Sequence, residues 1–98
     1  MNRQNMKRVL RKSSKPVKTD LFNEVGFTEE ELQLMKYLYI DKINNQFWVA
    51  DEMGISLPTL TNWHNNCIDQ LLTFYNYQFY KSSHNEENCF DKYFAKIV

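Results

Sequence analysis

Apolar and polar residues follow the most regular pattern between residues 47 and 68, where two segments with helical periodicity flank one glycine. In the first segment, three apolar residues share one side of a helix: Val49, Ala50 and Met53. Gly54 follows at once, and glycine suits a helix end because it adopts positive φ without a Cβ penalty. The pattern therefore predicts a short helix that ends at this glycine.

A longer helix is predicted from Leu57 onward. Ser56 precedes it as a favourable N-cap, and Pro58 falls in the first turn, where a missing N–H costs nothing. Apolar residues then continue at helical spacing: Leu60, Trp63 or His64, Cys67, Ile68 and Leu71. Two helices joined by a short turn that contains glycine form a helix-turn-helix. The second helix has no stop signal before about Tyr80, and its later part is rich in aromatic rings.

Another helix is predicted ahead of this motif. Thr28–Glu31 is a capping-box sequence, with Phe27 and Leu32 placed as its hydrophobic staple. It predicts a helix that ends near Ile43, where Asn44–Asn45 makes a break. The N-terminal part of the domain thus contributes at least one well-capped helix to the core.

Shorter elements are predicted at both ends of this arrangement. Thr19 is a suitable N-cap for a helix over residues 20–25, and Gly26 ends it. Residues 81–85 are predicted to form a loop before a last helix, whose apolar residues fall at helical steps: Phe90, Tyr93, Phe94 and Ile97. These residues predict a helix that folds back on the long helix, so that its aromatic side chains become part of the core. The alternative is that the same aromatics form a homo-oligomer interface.

Composition agrees with a single all-α domain. Ninety-eight residues with 43% hydrophobic content suit one modest core, and two Gly and two Pro are too few for a turn-rich β structure. No apolar run approaches the roughly 18 residues of a membrane span, and no secretory pattern is present, so we expect a cytoplasmic protein without membrane contact. Cys67 and Cys89 do not make a disulfide framework and are expected to be reduced.

The formal net charge of zero conceals a strong asymmetry along the chain. Residues 1–19 carry seven of the twelve basic residues and no acid, while the remainder has five basic and twelve acidic residues, a net charge of −7. The clustered apolar residues before Pro16 are only three: Met6, Val9 and Leu10. We therefore expect a flexible basic arm over residues 1–18, joined to a helix-turn-helix domain with a C-terminal helical extension over residues 19–98.

The segment from Phe27 to Leu72 resembles the helix-turn-helix of sigma-factor region 4 and of the small sigma-like regulators of bacteria and phages. Three stretches carry the resemblance: FTEEELQLMKYLY, then VADEMGIS, then T-L-x-x-W-x-x-x-C-I-x-x-LL. The run S-x-x-T-L-x-x-W over Ser56–Trp63 resembles transposases and phage terminase small subunits equally well. The resemblance covers about half of the chain and implies a transcription regulator whose partner is double-stranded DNA.

If the resemblance holds, the second helix of the motif enters the major groove. The residues then implied to read base edges are Leu57, Pro58, Thr59, Thr61, Asn62 and Asn65. Asparagine pairs bidentately with adenine, which implies a site that contains A·T pairs. The residues expected to contact phosphates are Arg3, Lys7, Arg8, Arg11, Lys12, Lys15, Lys18, Asn45, Gln46 and Ser56, with Asn44 beside them.

The motif departs from the family in its charge, because residues 43–80 contain no Lys or Arg. Phosphate neutralisation supplies most non-specific affinity for DNA. Either the basic arm supplies this charge, or a dimer or larger complex does, or the motif binds protein instead. The alternative functions are accordingly an acidic interaction module that binds RNA polymerase or another regulator, and a terminase-like DNA-binding accessory protein.

An enzyme is not expected, because the chain has no Gly-rich phosphate loop, nucleophile elbow or HExxH motif. No cofactor is expected either. A zinc site is geometrically conceivable from His64, Cys67, His84 and Cys89, but their spacing matches no usual zinc finger. A core cysteine beside a half-buried histidine explains the first pair more simply.

Overall fold

The computed structural model describes the backbone of residues 1–83 and the side chains of residues 1–77. Every regular element in this part of the chain is helical, which confirms the all-α prediction. The elements are α1 (Arg3–Lys12), α2 (Lys15–Val25), α3 (Glu29–Met35), a π segment (Lys36–Ile40), α4 (Gln46–Met53) and α5 (Leu57–Ser83). None of the described helices is long and apolar enough to cross a membrane.

The pair α4 and α5 forms the predicted helix-turn-helix. Gly54 ends α4 with φ of 67°, and the backbone N–H of Ile55 donates to the carbonyl of Ala50 at 3.0 Å. The hydroxyl of Ser56 accepts from the backbone N–H of Thr59 at 3.3 Å, so α5 begins at Leu57 with the predicted N-cap. The caps and the turn glycine are therefore where the sequence predicts them.

The long helix α5 continues further than predicted, to Ser83, so residues 81–83 are helical and not part of a loop. The expected C-terminal helix and its aromatic residues lie outside the described residues, as do His84 and Cys89.

The prediction of a flexible arm over residues 1–18 is wrong. These residues form α1 and the start of α2, and the three apolar side chains of α1 are buried: Met6, Val9 and Leu10. They belong to the main core cluster together with Leu21 and Phe22 of α2 and Ile68 and Leu71 of α5. These three side chains alone are too few to offset the entropy of ordering a helix, but α2 and α5 together provide the apolar surface that covers them.

The start of α2 also differs from the prediction. The helix begins at Lys15 with Pro16 in its first turn, five residues before the predicted start. Thr19 is therefore inside the helix, and its hydroxyl donates to the carbonyl of Lys15 at 2.9 Å instead of capping an N-terminus. Gly26 ends α2 with φ of 81°, as predicted.

The helix predicted from Thr28 to near Ile43 is interrupted. Its capping box is present, because the hydroxyl of Thr28 accepts from the N–H of Glu31 and the carboxylate of Glu31 accepts from the N–H of Thr28. After α3, however, the helix widens into the π segment. The N–H of Ile43 donates to the carbonyl of Tyr37, and not to the carbonyl of Tyr39 as in a regular α-helix. The carbonyl of Tyr39 is thus left open to another donor, the buried ammonium of Lys18.

The described residues form two core clusters, and α5 contributes side chains to both. The main cluster joins α1, α2, the α3–π segment and the middle of α5. A second cluster lies under the helix-turn-helix: Leu34, Val49, Ala50 and Leu60, with Trp63 packed at its edge. Because α5 contributes to both clusters, the helix-turn-helix and α1 are held by one common element.

Replacement of Met6 tests whether α1 belongs to the folded core. Met6→Ala should lower the free energy of unfolding by about 2–5 kcal/mol, because a fully buried side chain leaves a cavity. Urea denaturation followed by circular dichroism measures this change. The matched control is Gln4→Ala, an exposed position on the same helix, which should change stability by about 0.5 kcal/mol or less. Equal stabilities for the two variants would contradict the packing described for α1.

Candidate nucleic-acid interface

An ion pair joins α1 to α5 at the surface of the protein. The guanidinium of Arg3 donates twice to the carboxylate of Asp69, from Nε to Oδ1 at 2.8 Å and from Nη2 to Oδ2 at 2.7 Å. Both side chains remain about half exposed, at 52% and 46%. The hydrogen bond and charge of Arg3 lower the pKa of Asp69. The one acidic side chain on this flank of α5 is thus paired with a cation from α1.

The cations of α1 continue from this ion pair toward the helix-turn-helix. Arg3, Lys7 and Arg11 are four residues apart, so they share one side of α1. Arg3 contacts Asp69, while Arg11 lines a cleft with His64 and Gln46, so the two helices run antiparallel. The column of positive charge therefore extends from the middle of α5 to the beginning of α4.

Arg11 shares a cleft with a second cation, Lys42, from the segment between the π segment and α4. A cleft of about 270 Å³ is lined by Arg11, Lys42, Tyr39, Leu38 and Asn44. Lys42 has φ of 55°, the only positive value outside glycine in the described residues, and this conformation turns the chain out of the π segment. The cleft can accept an anion, because two cations line it.

Lys42, Tyr39 and His64 were not predicted to belong to this site. Lys42 is a single lysine in an otherwise helical pattern, and only the π segment and the left-handed residue bring it next to Arg11. No signal in the sequence marks the π segment, so this part of the site could not be found from the pattern of residues.

The predicted phosphate contacts divide into three groups. The first group is at the surface: Lys7, Arg8, Arg11, Lys12 and Lys15. Lys7 is partly buried, and the other four are exposed. Arg3 is already paired with Asp69. The prediction for Lys18 is wrong, because its side chain is buried and its ammonium donates to the carbonyl of Tyr39. Burial, together with the charges of Lys42 and Lys15, lowers the pKa of Lys18.

The polar residues at the beginnings of α4 and α5 differ in whether their side chains are free to contact a phosphate. The side-chain oxygen of Asn45 accepts from the N–H of Trp48 at 3.1 Å, so it caps α4. Asn44 and Gln46 are exposed and line the clefts beside Arg11. The hydroxyl of Ser56 is engaged with Thr59, with the two oxygens 2.8 Å apart, so the cap of α5 uses both side chains.

The predicted base-edge residues lie along the first three turns of α5. Pro58, Thr61 and Asn62 are exposed, whereas Leu57, Thr59 and Asn65 are partly buried. The hydroxyl of Thr61 donates to the carbonyl of Leu57 at 3.2 Å. The exposed side chain with the most free hydrogen-bonding capacity is therefore the amide of Asn62, for which the structure shows no intramolecular bond.

His64 lies between α5 and the π segment. Its Nε2 is 2.7 Å from the hydroxyl of Tyr39, and burial together with the charges of Lys7 and Arg11 lowers its pKa to about 4. His64 is consequently neutral at pH 7. Cys67 is buried and its thiol lies 3.9 Å from a carboxylate oxygen of Glu31, which is bonded to Gln70. Within residues 1–77, no three His, Cys, Asp or Glu side chains are grouped as metal ligands.

The low pKa of His64 predicts a pH dependence of stability. The folded state holds fewer protons than the unfolded state between pH 6.5 and about 4, so the free energy of unfolding should fall as pH is lowered through this range. His64→Gln should remove this part of the decline. Urea denaturation at pH 7, 6 and 5 compares the two proteins, and the contributions of all other groups cancel. Parallel pH profiles would contradict a neutral, buried His64.

Comparison with protein-family models, with curated proteins and with solved structures finds no match to this chain. Its function is therefore inferred from the geometry of the residues described above.

Proposed function

We propose that the protein is a DNA-binding transcription regulator of the helix-turn-helix type. The beginning of α5 enters the major groove, and the cations of α1 contact the phosphate backbone on one side of it. The observation that carries this proposal is the position of the basic helix α1, which packs on α5 through its apolar side and is joined to it by the ion pair between Arg3 and Asp69. The resemblance to sigma-factor region 4 implies the same role for α5.

Charge explains why α1 is needed. The helix-turn-helix contains no Lys or Arg of its own, and most non-specific affinity for DNA comes from phosphate neutralisation. Lys7 and Arg11 share the side of α1 that carries Arg3, and Lys42 joins Arg11 in the cleft beside α4. These cations are on folded elements, so binding does not incur the ordering cost of a flexible arm.

Asn62 and Asn65 support recognition of sites with A·T pairs. Both precede the ion-paired Asp69 on α5, and Asn62 is exposed. The amino group of an asparagine side chain can donate to N7 of adenine while its carbonyl oxygen accepts from the N6 amino group of the same base. The amide-rich beginning of α5 thus supplies specificity, while α1 supplies affinity.

Single alanine substitutions in α1 should weaken DNA binding in a salt-dependent way. Lys7→Ala and Arg11→Ala should each reduce the slope of log affinity against log salt by about 0.9, the value for one lost phosphate contact. Fluorescence anisotropy with a labelled mixed-sequence duplex at several salt concentrations measures the slope. Lys36→Ala, an exposed lysine of the π segment that lines neither basic cleft, is the control and should leave it unchanged. Absence of binding at low salt would refute the proposal.

Base reading by α5 is tested with three asparagines of the same helix. Asn62→Ala and Asn65→Ala should each reduce discrimination against a substituted A·T pair by about 1–3 kcal/mol in selected duplexes. Asn66→Ala is the matched control, because Asn66 lines a hollow with Glu30, Glu31 and Trp63 instead. Selection from a random duplex pool supplies the sites. If all three variants select the same sequences as the wild type, α5 does not read bases through these amides.

A further inference from the structure

A groove with acidic and aromatic walls lies between α3, α4 and α5. It has a volume of about 320 Å³ and is lined by three carboxylates and three large apolar side chains: Glu29, Glu30, Glu52, Tyr37, Met53 and Trp63. No Lys or Arg lines it. The groove is on a different flank of α5 from α1, because Trp63 and the ion-paired Asp69 are six residues apart, about 120° around the helix.

The walls of the groove continue into exposed aromatic surface. Trp48 packs edge-on against Tyr37, with ring centroids 5.6 Å apart, and is 43% exposed. Phe47, next to it in α4, is 72% exposed. Large aromatic side chains that remain exposed beside a groove are typical of protein interfaces. The three carboxylates have no cationic partner among the side chains of residues 1–77, where Arg3 and Asp69 form the one ion pair.

The outward side of α1 is complementary to this groove. Arg8 and Lys12 are four residues apart, about 100° around the helix from Lys7 and Arg11, and Lys15 follows at the start of α2. All three are exposed, and none has a carboxylate partner within the described side chains. Their long aliphatic stems can lie on aromatic rings while their charged ends meet carboxylates.

We propose that the acidic groove binds the outward side of α1 of a second copy of this chain. Arg8, Lys12 and Lys15 of one copy pair with the groove carboxylates of the next, and their stems cover Trp63 and Tyr37. The two surfaces are different parts of the molecule, so the contact is heterologous and joins copies head to tail. The net charge of zero allows this approach without overall repulsion. The contact requires no DNA and does not rest on the function proposed above.

The first measurement is the oligomeric state of the protein without nucleic acid. Sedimentation velocity over a range of concentrations should show association at about 0.05 M salt and its loss at about 0.5 M salt, because exposed ion pairs are screened. A wild-type protein that stays monomeric at low salt overturns the proposal and leaves the groove to a partner other than this chain.

A charge-swap experiment then identifies the two surfaces. One variant carries Glu30→Lys and Glu52→Lys in the groove, and the other carries Arg8→Glu and Lys12→Glu on α1. Each should self-associate at least about tenfold more weakly than the wild type, since attraction becomes repulsion. An equimolar mixture of the two should associate again, because each variant's α1 is complementary to the other's groove. Unchanged association of either variant, or a mixture that stays monomeric, overturns the proposal.

Controls separate the proposed contact from overall charge and from misfolding. Asp20→Lys with Asp51→Lys changes the net charge as much as the groove variant does, at exposed positions that do not line the groove, and should associate like the wild type. Far-UV circular dichroism checks the helical content of each variant. If a reversal variant unfolds, Glu52→Gln and Lys12→Gln replace the pair, each expected to weaken association about threefold.

Tryptophan fluorescence gives a local measure of the groove. Trp48→Phe leaves Trp63 as the single tryptophan of the chain. Its emission should shift to shorter wavelength when this protein is concentrated at low salt, because the stems of the second copy exclude water from the ring. An emission maximum that does not move while sedimentation shows association would place the contact elsewhere and overturn the proposal.

Discussion

The packing of the apolar side of α1 against α2 and α5 is the interaction on which the rest of the structure depends. Met6, Val9 and Leu10 complete the main core cluster, and the same helix carries most of the surface cations of the described residues. Apolar burial fixes where the charges stand, so a hydrophobic interaction determines an electrostatic surface. Because the helix-turn-helix contains no Lys or Arg, the cations of α1 beside it depend on this burial.

The uneven distribution of charge over the molecule follows from the position of α1. One flank of α5 is bordered by the cations of α1 and the cleft with Arg11 and Lys42, and another flank borders the groove with Glu29, Glu30 and Glu52. Glu52 therefore does not oppose the phosphate backbone in the proposed complex, and Asp69 is paired with Arg3. The segregation of charge along the sequence becomes a segregation of charge across the fold.

Local signals in the sequence predicted the elements that are stabilised locally. The capping box at Thr28, the αL glycines and the N-cap at Ser56 each act within a few residues, and each is found where expected. Interactions between distant residues were missed. Whether α1 folds depends on apolar surface from α2 and α5, and the burial of Lys18 depends on a carbonyl freed by the π segment. Neither can be predicted from hydrophobic periodicity, which identifies the apolar face of a helix but not the elements that pack against that face.

The position of α1 has a consequence for how the chain reaches this structure. Arg3 and Asp69 are 66 residues apart, and the core joins Met6 to Ile68 and Leu71. A ten-residue helix is marginally stable in water by itself, so α1 gains order only when residues near 70 are present to cover it. During synthesis from the N-terminus, α1 must therefore wait for α5, the last of the described helices. Docking of α1 is then a late event, and closure of the loop between Arg3 and Asp69 is its entropic cost.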